Sequence, residues 1–80
     1  MQTIRDLLLQ EVNKALEEAK RACPDLDRST RCVEVRMVTA PTGTFFQALI
    51  DPYPADPDLR RCAGEVLSAQ GLTVELTTRW

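Results

Sequence analysis

Cysteine and aspartate are the residue types whose spacing in this chain of 80 residues could indicate chemistry, and histidine is absent. That absence removes the usual general base and the commonest metal ligand. It also excludes Ser–His and Cys–His pairs, and neither a GxxxxGK[ST] nor a GxGxxG phosphate loop occurs. The sequence therefore predicts a protein that is not an enzyme and that uses no cofactor and no metal ion.

The three cysteines, Cys23, Cys32 and Cys62, form neither a CxxC pair nor the spacing of a zinc site. One interpretation is that all three are reduced thiols, packed as small hydrophobic side chains. Another is a disulfide between Cys23 and Cys32, which would join the end of a helix to the start of a strand. A third is a crosslink to a neighbouring subunit, and the sequence leaves these alternatives open.

The segment DPYPADPD, residues 51–58, holds three prolines and three aspartates. Its aspartates lack the spacing of a calcium loop. Asp56 suits the N-cap of a helix and Pro57 its first position, while the two earlier prolines end the preceding strand. Tyr53 is left without a structural role in this interpretation, and we predict that it contacts a partner.

Composition limits the class of protein. Hydrophobic residues make up 44% of the chain and charged residues 28%, which is ordinary for a soluble globular domain. The net charge of −2, with scattered basic residues, does not favour nucleic-acid binding. No apolar run approaches the ~20 residues of a membrane span, and the first residues do not resemble a signal peptide. We expect one domain over residues 1–80 that is soluble and cytosolic, with no membrane contact.

Hydrophobic periodicity predicts the first three elements. Apolar residues recur at intervals of three and four over residues 4–22, and Thr3 with Asp6 forms a capping box at the start of this helix. Residues 32–40 alternate between apolar and polar, as in a half-buried strand. Residues 44–50 are apolar on both faces, and the turn between the two segments predicts a hairpin.

The rest of the chain predicts a helix over about residues 57–70, ended by Gly71, and a last strand over residues 72–80. The order is α-β-β-α-β, so we predict an α+β fold. The third strand is expected beside the first, which gives a mainly antiparallel sheet of order 3-1-2. Both helices would cover one face.

Alternation assigns the strand residues to two faces. The face under the helices would hold Val33, Val35 and Met37. The other face would carry polar residues: Glu34, Arg36, Gln47, Glu75 and Arg79. Phe45 and Leu49 interrupt this polar face, and Trp80 ends the last strand. Apolar side chains on an exposed face indicate a contact surface, so we predict that these three residues bind a protein partner.

A resemblance rests on the end of the chain. The second helix closes as L-x-x-x-G-L-x-V, here Leu67, Gly71, Leu72 and Val74, and the final strand ends in Trp80. This layout resembles small α/β proteins encoded by tailed bacteriophages. The resemblance implies a compact accessory protein, in the host cytoplasm or in a virion, that works by binding another protein.

Two partner classes follow from that resemblance: the protein is a virion-associated or oligomeric component, or it inhibits a host protein. A third interpretation is a nucleic-acid-binding module like one type of KH domain, which also begins α-β-β. That module clamps the nucleic-acid backbone with a GXXG loop, and this chain has none. We therefore expect a protein partner, with a second copy of the chain among the candidates.

Overall fold

The computed structural model describes residues 3–78. Its elements follow in the order α1 (Ile4–Ala22), β1 (Arg31–Ala40), β2 (Gly43–Asp51), α2 (Pro57–Ala69) and β3 (Val74–Thr77). The predicted α-β-β-α-β order and the α+β class are confirmed.

Both helices begin at the predicted caps. The Thr3 hydroxyl accepts a hydrogen bond from the backbone N–H of Asp6 at 3.1 Å, and the Asp6 carboxylate accepts one from the N–H of Thr3 at 3.2 Å. At α2 the Asp56 carboxylate accepts from the N–H of Asp58 at 2.9 Å. These bonds satisfy amide groups that have no partner within the helix.

The sheet order differs from the prediction. The strands lie in the order β1-β2-β3, with β1 and β2 antiparallel and β2 and β3 parallel. The expected 3-1-2 order and mainly antiparallel sheet are wrong. The strand that is apolar on both faces, β2, lies at the centre. The edge of β1 that would have received β3 is occupied at Cys32, whose N–H and C=O both bond to the side chain of Asn13.

A bulge in β1 changes which residues face the helices. Cys32 pairs with Ile50, but Glu34 pairs with Leu49, so Val33 is an extra residue. Cys32 therefore takes the position under the helices that alternation assigned to Val33, and its side chain is 2% exposed. A single inserted residue reverses the alternation on either side of it, and nothing in the spacing marks this position.

The core lies between the helices and one face of the sheet. Its main cluster draws on both helices and on the two long strands, and consists of Val12, Ala15, Leu16, Cys32, Val35, Ala48, Ile50 and Leu67. A second cluster joins the C-terminal end of α1 to the N-terminal half of α2, and consists of Ala19, Cys23, Leu26 and Ala63.

The cysteines pair differently from the predictions. Cys23 is bonded to Cys62, with 6.3 Å between their Cα atoms, and Cys32 is a buried free thiol. The expected Cys23–Cys32 bond is wrong, and so is the interpretation in which all three are reduced. The two helices pack against each other where α1 ends and α2 begins, so residues 39 positions apart in sequence meet there.

Candidate functional site

One face of the sheet is not packed against either helix. Strand pairing places Glu34 opposite Leu49, Arg36 opposite Gln47 and Val38 opposite Phe45, and continues the rows to β3. We call this surface the open sheet face; its residues are Glu34, Arg36, Val38, Phe45, Gln47, Leu49, Glu75 and Thr77. The sequence predicted that Phe45 and Leu49 share a face with the polar strand residues, and the pairing confirms this. Arg79 lies outside the described residues.

A polar row crosses the middle of the open sheet face. The Arg36 guanidinium donates a hydrogen bond from Nε to Oε1 of Gln47 at 3.0 Å. The Gln47 amide donates from Nε2 to Oε1 of Glu75 at 3.1 Å. The row therefore carries a positive charge on β1, a neutral amide on β2 and a negative charge on β3, each held in place by its neighbour.

Phe45 and Leu49 stand on the two sides of this row. Both side chains are half-buried, and neither belongs to the core clusters under the helices. They are four positions apart along one strand, a distance of about 13 Å. Their contact with a partner stays a prediction, as does that of Trp80, which lies outside the described residues.

Tyr53 does not join them. It is half-buried and packs against the main core cluster, on the side of the helices. The Arg60 guanidinium lies over its ring, 5.4 Å from the centroid, which is within the range of a cation–π contact. Tyr53 thus has a structural role that the sequence did not predict, and its role in binding stays a prediction.

A second uncovered surface lies on the helix side of the sheet. Ile4, with 70% of its surface exposed, and Met37, with 59%, line a shallow groove of about 470 Å³ together with Phe46. Met37 was expected under both helices. Because α1 has 19 residues and α2 only 13, the first turns of α1 extend past the shorter helix. The difference in helix length was visible in the sequence, but the groove depends on how the helices pair.

The free thiol of Cys32 is unsuited to nucleophilic chemistry. Burial raises its pKa to about 11, and a hydrogen bond with the Glu34 backbone partly offsets that rise. The protonated Sγ donates to the carbonyl oxygen of Glu34 at 3.4 Å. A cysteine reacts as the thiolate, so Cys32 is protonated at neutral pH. The other two cysteines form the disulfide.

Comparison with protein families, with curated proteins and with solved structures finds no match to this chain. The resemblance to phage proteins accordingly stays a prediction. Over residues 3–78, neither helix is long and apolar enough to cross a membrane. In the same part of the chain, no group of three or more cysteine and acidic residues is arranged to hold a metal ion.

Proposed function

We propose that this chain is a non-catalytic, protein-binding accessory protein whose contact surface is the open sheet face. The observation that carries the proposal is the position of Phe45 and Leu49 on a face that neither helix covers, one on each side of the hydrogen-bonded polar row. Apolar anchors beside ordered polar groups are the usual composition of protein interfaces.

The chemistry of the chain supports a binding role over catalysis. The chain has no histidine, and the pKa of its free thiol is raised by burial. Its acidic side chains at the helix starts are engaged in caps. What this protein offers to its surroundings is therefore a surface of fixed shape and charge.

The proposed partner class follows the resemblance to phage accessory proteins, which favours a virion-associated or oligomeric component. The Cys23–Cys62 bond supports this class, because disulfides persist in oxidising surroundings such as the surface of a particle outside the cell. Inhibition of a host protein is the alternative. The two differ in location: mass spectrometry of purified particles tests the first, and retrieval from host lysate tests the second.

The contact surface is tested with the double variant F45S/L49S. Tagged wild type and variant are compared for the proteins that they retain from particles and from host lysate. We expect a protein that wild type retains and F45S/L49S loses, since the variant removes both apolar anchors. Circular dichroism and thermal melting check that the double variant is folded. If its melting temperature is far below that of wild type, the single variant F45S is used in its place.

The matched control is I4S/M37S, which makes the same number of apolar-to-serine changes in the groove on the opposite side of the sheet. We expect it to retain the same protein as wild type. If I4S/M37S loses that protein and F45S/L49S keeps it, the contact surface is the groove and the proposal is wrong. It is equally wrong if wild type retains nothing that a tagged unrelated protein does not and also forms no oligomer.

A further inference from the structure

The charges of the open sheet face are arranged so that the face complements itself. Arg36 lies on one edge strand, Glu75 on the other, and Gln47 between them on the central strand. We infer that the partner is a second copy of this chain, and that the two open sheet faces pack against each other about a two-fold axis running roughly along β2. This inference rests on the proposed function, because it takes the same face as the contact surface.

The axis along β2 brings opposite charges together. A half-turn about it places β1 of one copy over β3 of the other, so Arg36 faces the partner's Glu75, and Glu75 faces the partner's Arg36. Residues on the central strand face their own counterparts. Phe45 then meets the partner's Phe45 and Leu49 the partner's Leu49, which buries an apolar pair on each side of the charged row. The strands of the two sheets stay close to aligned, as in other sheet-on-sheet packings.

The alternative axis, running across the strands, is disfavoured by the same charges. It would place β1 over the partner's β1, so that Arg36 faces the partner's Arg36 and Glu75 the partner's Glu75. Like charges opposed across an interface cost affinity. It would also set Phe45 against the partner's Leu49 in place of the aromatic pair, and aromatic pairs contribute beyond the area they bury.

The size of the face predicts a weak dimer. Three strands span about 14 Å and the distance from Phe45 to Leu49 is about 13 Å. A standard interface needs about 800 Å² of each partner. A face of these dimensions is smaller than that standard, which places the dimer among the weak, transient interfaces. The helices lie on the outside, and the pair forms four layers: helices, sheet, sheet, helices.

Charge reversal tests the inference by sedimentation velocity over a concentration series. In R36E the introduced carboxylate faces the partner's Glu75 twice in each dimer, and in E75R two cationic groups are opposed in the same way. We expect each single variant to dimerise at least about tenfold more weakly than wild type. Both positions lie away from the core clusters, so both variants should fold, which circular dichroism checks.

Two further samples make the test specific to this pair of charges. The double variant R36E/E75R restores opposite charges in every pair and should dimerise like wild type. An equimolar mixture of R36E and E75R should form a heterodimer, because each carboxylate of one variant then faces a cationic group of the other. Neither result is expected from a dimer that uses another surface, because positions 36 and 75 of the two copies would not face each other there.

Three outcomes would overturn the inference. Wild type could be monomeric at several hundred micromolar, the single variants could dimerise as wild type does, or the mixture could remain monomeric. A dimer that I4S/M37S abolishes and R36E leaves intact places the contact in the groove. If no dimer forms while F45S/L49S still loses a protein that wild type retains, the dimer is refuted and the proposed function stands.

Discussion

Asn13 acts as a short substitute for a neighbouring strand. Its amide donates from Nδ2 to the carbonyl oxygen of Cys32 at 3.0 Å and accepts from the N–H of Cys32 at 2.8 Å. These are the two bonds that a paired strand would make at this residue. One polar side chain on α1 thus closes part of an open sheet edge and fixes the helix to the start of β1.

Replacing Asn13 with alanine should lower the free energy of unfolding by about 2–4 kcal/mol, since it leaves a buried N–H and a buried C=O without partners. Chemical denaturation of N13A and wild type measures the difference. K14A is the control: Lys14 is exposed and lies 3.8 Å from Glu11 in a weak ion pair, so its loss should change stability by less than about 0.5 kcal/mol. Equal effects of the two substitutions would contradict this role of Asn13.

Cys32 should make stability depend on pH at alkaline values. Its pKa rises from 9.0 to about 11 on folding. Below the unfolded pKa both states hold the proton and the contribution is complete. Between the two values the unfolded chain loses its proton first, so stability falls as pH rises, by up to about 1.4 kcal/mol per pH unit.

The C32A variant isolates this effect. Urea denaturation from about pH 8 to 10 should show a steeper loss of stability for wild type than for C32A. Other titrating groups are common to both proteins and cancel in the comparison. C32A is expected to be less stable at every pH because it leaves a cavity, so the slope is the quantity of interest. Parallel curves of stability against pH would show that burial does not raise the pKa of this thiol.

At the scale of elements, local signals in the sequence were sufficient to locate the helices. They were not sufficient to predict which strands pair. Periodicity and caps located both helices to within a residue or two, because amphipathic stripes and end residues act within a few positions of each other. Strand order depends on contacts between distant segments. The apolar character of β2 on both faces is typical of a central strand, but the predicted order placed β1 at the centre.

The open sheet face was predictable for a related reason. Alternation within β2 and β3 is regular, so Phe45, Gln47 and Glu75 fell on the predicted side. The predicted faces of the β1 residues are correct only after the bulge, because the extra residue at Val33 reverses the faces of the residues that precede it. The hydrogen bonds of the polar row follow from register, which the sequence could not supply while the strand order was wrong.

The end of α2 provides a matched pair of glycines. Gly71 has φ +80, and its N–H bonds to the carbonyl oxygen of Ser68 at 3.0 Å, while the N–H of Leu72 bonds to that of Leu67 at 3.0 Å. This is a Schellman cap, and Gly71 ends the helix as the sequence predicted. Gly64 lies inside the same helix, and an added Cβ meets no atom within 4 Å at either glycine.

The same substitution should therefore have opposite effects at the two positions. G71A forces a left-handed backbone on alanine and should destabilise the protein by about 1 kcal/mol. G64A replaces a poor helix former with the best one and should stabilise it by about 0.5–1 kcal/mol. Thermal melting of both variants measures the signs. Destabilisation by G64A would mean that the helix needs flexibility at that point.

At the scale of the whole molecule, the Cys23–Cys62 bond closes a large loop. The two cysteines are 39 residues apart in sequence, so the bond encloses both long strands. A domain this small buries a limited apolar area, and crosslinks commonly supply the missing stability. The chain-entropy model gives about 4 kcal/mol for a loop of this size.

The variant C23A/C62A should therefore be less stable than oxidised wild type by about 3–4 kcal/mol. Wild type in reductant should lose a similar amount, which separates the bond from the loss of two side chains. C32A is the control that keeps the bond and should still respond to reductant. Wild-type stability that is indifferent to reductant would contradict a disulfide.

Peptide mapping decides the pairing itself, because trypsin places each cysteine in its own fragment: residues 22–28, 32–36 and 62–79. Without reductant, and with free thiols blocked in denaturant before digestion, we expect fragment 22–28 linked to fragment 62–79 and fragment 32–36 alkylated. A link between 22–28 and 32–36 would restore the pairing that the sequence suggested, and the helices would then lack their covalent tie. A link between 22–28 and 62–79 would instead show that helix packing, and not closeness in sequence, selects which thiols meet.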